Sequence, residues 1–319
     1  MKPCEVIICD LDHDNIEEER KVLEYHRYTY RWLHCRNQQE VIEQCQGASV
    51  LLNQYVRMDR VIFQTLPSVR CIVRYGVGYD NIDLKDAADY GVQICNVPDY
   101  GTQEVADHAL AHMMNMAREI SGADRLIRAG IWDYRRNIPI QRLSECTVGI
   151  CGVGRIGSAF ASRVKALGCR IIAYDTDQNN RRRHFPDFVT FVPFEQLLEE
   201  SDILSIHCPL NGITYHMFSA EQLHRMKSSA LLINVARGGI IDECALYHAL
   251  KEGQIAGAAL DVLEQEPLTP DDPLLSLDNL TITPHTAWYS EAASRDLKRK
   301  AAEEAVRFLQ QKPVLYSVF

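Results

Sequence analysis

The sequence predicts an α/β protein made of two doubly wound parallel-sheet domains. Three observations carry that prediction. The chain has 319 residues, enough for two cores of ordinary size. Short apolar runs alternate with helix-length segments in both halves, the signature of parallel strands joined by helical crossovers. A spaced set of glycines falls between one such run and a helical stretch.

Composition narrows the classes. The apolar and charged fractions, 46% and 24%, are those of a globular chain. The formal net charge of −9 argues against a broad basic face, so no direct nucleic-acid partner is expected, and Arg181-Arg182-Arg183 reads as a solvated loop. No apolar stretch reaches the roughly 20 residues of a membrane helix, so no membrane partner is expected either. Eleven scattered cysteines, several inside apolar runs (Cys71, Cys151, Cys208), show neither metal-ligand spacing nor a disulfide framework. They read as reduced core thiols of a cytoplasmic protein that holds no metal.

In chain order, Met1-Lys2-Pro3-Cys4-Glu5 leads into a run at 6–9 that Asp10 ends, a first strand rather than a signal peptide. Further strands are predicted at 50–52, 71–74 and 93–95, with helical stretches at 15–26 and 38–45 between them. The segment Asn96-Val97-Pro98-Asp99-Tyr100-Gly101 is a loop signal, followed by one long helical pattern over 102–128. Its Val105, Ala109, Met113 and Met116 recur at helical spacing, so its methionines are packing residues. Six runs follow, at 148–151, 171–174, 203–206, 231–235, 256–260 and 280–283, and a last helix covers 291–311.

Ligands of open parallel sheets gather at the carboxyl ends of the strands. After the run at 148–151 comes Gly152-Val153-Gly154-Arg155-Ile156-Gly157, with a helical stretch at 158–167. The first glycine allows a tight turn, the second lets the backbone approach a pyrophosphate, and the third lets helix and strand pack closely. The amides of Arg155 and Ile156 then face the phosphates from a helix N-terminus. Asp175 ends the next strand, eighteen residues beyond Gly157. A carboxylate there accepts from ribose hydroxyls and repels an added phosphate, which favours NAD over NADP. His207-Cys208-Pro209, with Thr214 shortly after, is a candidate for the adenine side.

Three further strand ends carry side chains suited to chemistry. Arg237 follows 231–236 and precedes Gly238-Gly239; its planar guanidinium suits a carboxylate or a polarised carbonyl. Glu266 precedes Pro267 beyond the fifth run, and His285 follows Pro284 beyond the sixth. Each of the three sits past an apolar run that reads as a buried strand. An imidazole is the natural proton donor near neutral pH, and a carboxylate on its far nitrogen fixes the tautomer. Asp261, which ends the fifth run in register with these residues, is a candidate for holding the nicotinamide carboxamide. The set is what hydride transfer to a 2-keto acid requires.

These motifs, with Asn234-Val235-Ala236-Arg237-Gly238-Gly239, Ala259-Leu260-Asp261-Val262, Glu266-Pro267 and Pro284-His285, resemble those of the D-isomer-specific 2-hydroxyacid dehydrogenases over essentially the whole chain. Arg74-Tyr75-Gly76-Val77-Gly78-Tyr79-Asp80-Asn81-Ile82-Asp83 and Pro284-His285-Thr286-Ala287-Trp288-Tyr289-Ser290-Glu291 look like the C-terminal-binding-protein branch. The resemblance implies a flavodoxin-like substrate domain (1–101 and 288–319), a Rossmann NAD-binding domain (102–287), a cleft between them that closes over substrate, and a homodimer. It implies that Arg237, Glu266 and His285 are catalytic, that Asp261 and Ala236, with Val235 among the cofactor contacts, help hold the nicotinamide, and that the amides around Gly76 and Val77 grip the substrate carboxylate. Arg74, Tyr75 and Trp288 are further substrate-side candidates, as are Tyr55 and Tyr100, although Trp288 alternatively anchors the last helix. The expected function is NAD-dependent interconversion of a 2-keto acid and a D-2-hydroxy acid. The alternatives are an NADH-sensing, corepressor-like protein scaffold and a phosphoglycerate- or hydroxypyruvate-type dehydrogenase.

Overall fold

The computed structural model describes residues 5–137, 139–177 and 187–319. The Arg181–183 loop expectation falls outside them. The chain divides into two compact units, Met1–Gly101 with Ser290–Phe319, and Thr102–Tyr289. Every strand pairing in both units is parallel.

The first unit holds strands β1 (Val6–Ile8), β2 (Tyr30–Trp32), β3 (Val50–Asn53), β4 (Cys71–Arg74) and β5 (Gln93–Cys95). Their order, β2-β1-β3-β4-β5, is the flavodoxin-like one. Ile7, Leu51, Ile72 and Ile94 feed one core, where Val41, Ile62 and Phe63 cover them. The helices Glu17–Tyr25 and Glu291–Leu309 pack together, and the latter also lies on β3 and β4. The end of the chain thus builds part of the first unit. Ser290 starts that helix by accepting from the Ala293 amide at 2.9 Å.

The second unit holds β6 (Thr147–Cys151), β7 (Arg170–Tyr174), β8 (Thr190–Phe191), β9 (Ile203–Ile206), β10 (Leu231–Asn234), β11 (Gly257–Leu260) and β12 (Leu280–Ile282). Their order, β12-β11-β10-β9-β6-β7-β8, reverses between β6 and β9, as a dinucleotide-binding sheet does. Alternation along the strands divides their side chains between two cores. Leu204, Ile206, Leu232 and Leu260 enter one, with Phe218 and Leu246. Ile203, Ile233 and Ala259 enter the other, with Met113, Phe160 and Val164. Covering both faces explains why these strands read as unbroken apolar runs. Phe160 and Phe218 are fully buried, each contributing roughly 1.5–3 kcal/mol of hydrophobic stabilisation.

Some expectations change in detail. β2 and β8 carry no sustained apolar run, because both are sheet edges with half-exposed or exposed residues. β12, expected as a buried strand, is also an edge, and all three of its residues are half-buried. The helical pattern over 102–128 is two helices, Thr102–Ala117 and Ile120–Arg128. Glu119 breaks it with φ 51°, and the Asn115 side-chain oxygen accepts from the Ser121 amide at 3.0 Å, capping the second helix.

Candidate active site

The carboxyl ends of β6, β7, β9, β10, β11 and β12 present the predicted side chains in one unit. At β6, Gly152 and Gly157 do the steric work that their spacing predicts. Gly152 adopts φ +94°, and a Cβ on it would lie 2.5 Å from the Cys208 amide nitrogen. A Cβ on Gly157 would lie 2.1 Å from the Gly152 carbonyl oxygen, so helix Arg155–Lys165 closes directly onto the turn. At Gly154 a Cβ would meet nothing within 4 Å. That open space, with first-turn amides above a cap residue that has no side chain, fits a pyrophosphate.

Asp175 follows β7 and is buried. One carboxylate oxygen accepts from the Val153 amide at 2.8 Å and the other from the Asp177 amide at 2.8 Å. The second strand end is thereby tied to the glycine turn. After β9, the His207 Nε2 pairs with Ser205 Oγ at 2.9 Å, while its buried Nδ1 has no hydrogen-bond partner among the described residues. Burial pushes this imidazole down to about 3. Thr214 donates to the Pro209 carbonyl at 2.6 Å and closes the loop beyond Cys208.

The loop after β10 is set by Asn234, a buried residue. Its Oδ1 accepts from the Ala236 amide at 3.0 Å, and its Nδ2 donates to the Arg237 carbonyl at 2.8 Å. The Arg237 guanidinium donates to the Ala236 carbonyl at 2.8 Å. A Cβ on Gly238 would lie 1.9 Å from the Leu263 carbonyl carbon and 2.3 Å from the Glu264 nitrogen. That glycine lets the Arg237 loop touch the backbone of the loop that carries Glu266. The reason for Gly238 is therefore steric.

Glu266 and His285 meet directly. His285 Nδ1 lies 2.7 Å from Glu266 Oε2, and Glu266 Oε1 accepts from the Leu263 amide at 2.9 Å. Burial pushes the Glu266 carboxyl up, but the His285 hydrogen bond and charge, the Leu263 N–H and the Arg237 guanidinium outweigh it. They hold Glu266 below the usual carboxylate range, so it is ionised at neutral pH. An ionised carboxylate on Nδ1 fixes the proton there and leaves Nε2 for proton transfer. His285 itself adopts φ 54°, with its amide donating to the Asp261 carbonyl at 2.8 Å and the Thr283 carbonyl at 3.0 Å.

Asp261 is almost fully buried. Its Oδ1 accepts from Thr283 Oγ1 at 2.6 Å and the Thr286 amide at 2.9 Å, and its Oδ2 from the Ala287 amide at 2.9 Å. Trp288 is half-buried against the core shared with Met113 and Phe160. A hollow of about 430 Å³ opens at the opposite, amino edge of the sheet, beside Ile203, Leu231 and Ala256; it contains no member of the Arg–Glu–His set.

In the first unit, the Gly76 and Val77 carbonyls are occupied, accepting from the Val97 amide at 3.0 Å and the Asn96 side-chain amide at 2.7 Å. Among the described residues the amides of Gly76 and Val77 have no such partner. Asp10 gathers the amides of Gln54, Tyr55 and Val56 at 2.6–2.8 Å and so fixes the neighbouring loop after β3. The Arg74 guanidinium lies over Gly76, where a Cβ would be 1.9 Å from its Nη1 and 3.6 Å from the Tyr100 hydroxyl. Tyr75 turns the other way: its ring is buried and its hydroxyl donates to the buried Glu19 at 2.9 Å. Its amide donates to the Asn53 carbonyl at 2.7 Å, so both the hydroxyl and the N–H of Tyr75 are already engaged.

The family model for "D-isomer specific 2-hydroxyacid dehydrogenase, NAD binding domain" matches residues 110–287, more than half of the chain. The chain belongs to the D-isomer-specific 2-hydroxyacid dehydrogenase family. A glyoxylate reductase of Korarchaeum cryptofilum is 44% identical over 275 residues, which cover 84% of this chain and 81% of the relative. A D-3-phosphoglycerate dehydrogenase of Archaeoglobus fulgidus is 37% identical over 270 residues, 85% of this chain and 51% of that one. Among solved structures, the TT0316 protein of Thermus thermophilus superposes with a TM-score of 0.88 at 29% identity, covering 99% of this chain and 100% of its own. This dehydrogenase is an NAD-dependent oxidoreductase that interconverts a 2-keto acid and a 2-hydroxy acid.

Asn234, Thr283, His108 and His112 were not singled out from sequence. Asn234 is hidden inside an apolar run. The two histidines carry the one available signal, their spacing of four on a helix that otherwise reads as packing.

Proposed function

We propose that this dehydrogenase reduces a short 2-keto acid, glyoxylate or one close to it in size, with NADH. The observation that carries the reading is the 2.7 Å contact of His285 Nδ1 with an ionised Glu266, which leaves Nε2 as the proton donor. When bound, the reduced nicotinamide supplies the hydride. His285 donates its Nε2 proton to the carbonyl oxygen as negative charge develops there, and Glu266 stabilises the imidazolium beforehand. Arg237 holds the substrate and stabilises the developing alkoxide. We assign a carboxylate-binding role to Arg237 and, separately, to the amides of Gly76 and Val77. Asp261 retains one acceptor position on Oδ2 for the nicotinamide carboxamide, beside Ala236 and Val235.

Two observations support a short substrate. The 44% identical relative is a glyoxylate reductase. The Arg74 guanidinium fills the space above Gly76, which favours a small or polar substituent over an aromatic one. The carboxylate of Asp175 favours NAD over NADP. We also assign a homodimer, supported by an apolar face on and after helix Ile120–Arg128, where Ile120, Ile127, Trp132 and Tyr134 are exposed. The ten described cysteines are free thiols, seven of them buried, which suits a cytoplasmic enzyme. The motifs quoted above support the C-terminal-binding-protein-like branch.

The test is NADH oxidation by the purified protein across glyoxylate, hydroxypyruvate, pyruvate, phenylpyruvate and the methionine-derived keto acid, with NADPH as comparison. Glyoxylate or hydroxypyruvate should give the highest kcat/KM. A preference for phenylpyruvate would overturn the substrate assignment.

A further inference from the structure

Helix Thr102–Ala117 places two imidazoles against the far side of the site. His108 Nε2 lies 3.0 Å and His112 Nε2 3.2 Å from Thr283 Oγ1, and the two rings meet edge to face at 4.6 Å. Thr283 Oγ1 is also 2.6 Å from Asp261 Oδ1. A hydroxyl has one proton to donate and two lone pairs to accept with. The carboxylate can only accept, so the Thr283 proton goes to Asp261. Both histidines must then donate from Nε2–H. His112 does so as a neutral ring: burial, and then the neighbouring His108, push it down to about 4, with Asp261 opposing.

The consequence reaches the two groups that matter. Thr283 and the Thr286 amide saturate Oδ1 of Asp261, while the Ala287 amide takes one position of Oδ2. The carboxylate is thereby oriented with one acceptor position left, on Oδ2. The backbone carbonyls of the same Asp261 and Thr283 both accept from the His285 amide, which holds His285 in its left-handed conformation. A displaced Thr283 moves both the nicotinamide-holding carboxylate and the turn that carries the proton donor.

We propose that His108, His112 and Thr283 are positioning residues, a hydrogen-bonded relay that sets Asp261 and the His285 turn for hydride transfer. The proposal rests on the reading of Asp261 and His285 given under Proposed function. None of the three touches the reacting atoms.

The test compares pairs that differ in hydrogen bonding at similar size: Thr283→Val against Thr283→Ser, and His108→Leu against His108→Gln, whose amide keeps an N–H where Nε2–H stands. In the dehydrogenase with saturating NADH and glyoxylate, T283V and H108L should lower kcat about tenfold and raise the KM for NADH several-fold. The KM for glyoxylate should stay within about twofold, and T283S and H108Q should recover most of the loss. Wild-type kcat and NADH KM in T283V, or no recovery in T283S and H108Q, would overturn the relay. His108 is partly exposed, so its pair remains informative if T283V does not fold. If the unaltered protein turns over no 2-keto acid, the underlying reading has failed. The relay is then judged by NADH affinity from fluorescence titration, which T283V must weaken and T283S preserve.

Discussion

The two units offer different means of binding negatively charged groups under the function proposed above. The seven-stranded unit presents side chains at its strand ends: Arg237, Glu266 and His285, each fixed by backbone contacts such as the Asn234 hydrogen bonds and the close approach at Gly238. The five-stranded unit offers main chain instead. Asn96 and Val97 occupy the Gly76 and Val77 carbonyls, and among the described residues the two amides have no such partner. A proton donor must be a titratable side chain, whereas a carboxylate can be recognised by peptide N–H alone. On this account Glu266 and His285 set the rate, and the Gly76 and Val77 amides contribute affinity for the acid.

Replacing the proton donor should show the largest effect. His285→Ala is expected to reduce kcat by about 10²–10⁴-fold while NADH still binds, checked by steady-state kinetics beside a fluorescence titration. Gly238→Ala should come next, because its Cβ has no room against the Leu263–Glu264 backbone. Lower thermal stability together with lost turnover is expected; a stable variant of normal activity would contradict the close approach as the reason for that glycine. Asp175→Ala should narrow the NADH-to-NADPH preference by about tenfold, measured as the ratio of kcat/KM values, since the repulsion of a 2′-phosphate is removed.

The smallest effect is on stability against pH. His112 and His207 are held near 4 and 3, below the value near 6.5 of an unfolded chain. The unfolded state therefore binds protons that the native state refuses, and stability falls as pH drops from about 6.5 towards 4. The thermal midpoint should decline over that window, and His112→Gln should flatten part of the decline.

The same contrast explains what the sequence made legible. Six strand ends of the larger unit could be read because buried strands are continuous apolar runs, and the first polar residue beyond each one stands out. Gly152 and Gly157 could be read because each has its own steric duty. β2 and β8 were not legible, since edge strands lack the apolar run, and β12 was taken as buried for want of any mark of its edge position. The break at Glu119 was hidden because a left-handed glutamate, with Asn115 capping across it, leaves the apolar period intact. Thr283 and the two histidines were missed because their pairing joins residues about 170 positions apart. Tyr75 is a substrate-side candidate by its motif, and nothing in that motif shows that its ring points at Glu19.

The central claim is the division between rate and affinity, and it is tested most directly by measuring kcat and KM side by side for Glu266→Gln and Gly76→Ala. The first removes the charge that stabilises the His285 imidazolium. The second forces a side chain onto φ +126° beneath the Arg74 guanidinium. The account predicts a loss of about a hundredfold in kcat with little change in KM for Glu266→Gln. It predicts a rise of about tenfold in the keto-acid KM with kcat nearly kept for Gly76→Ala. Equal losses of kcat in both variants, or an unchanged KM in Gly76→Ala, would contradict it.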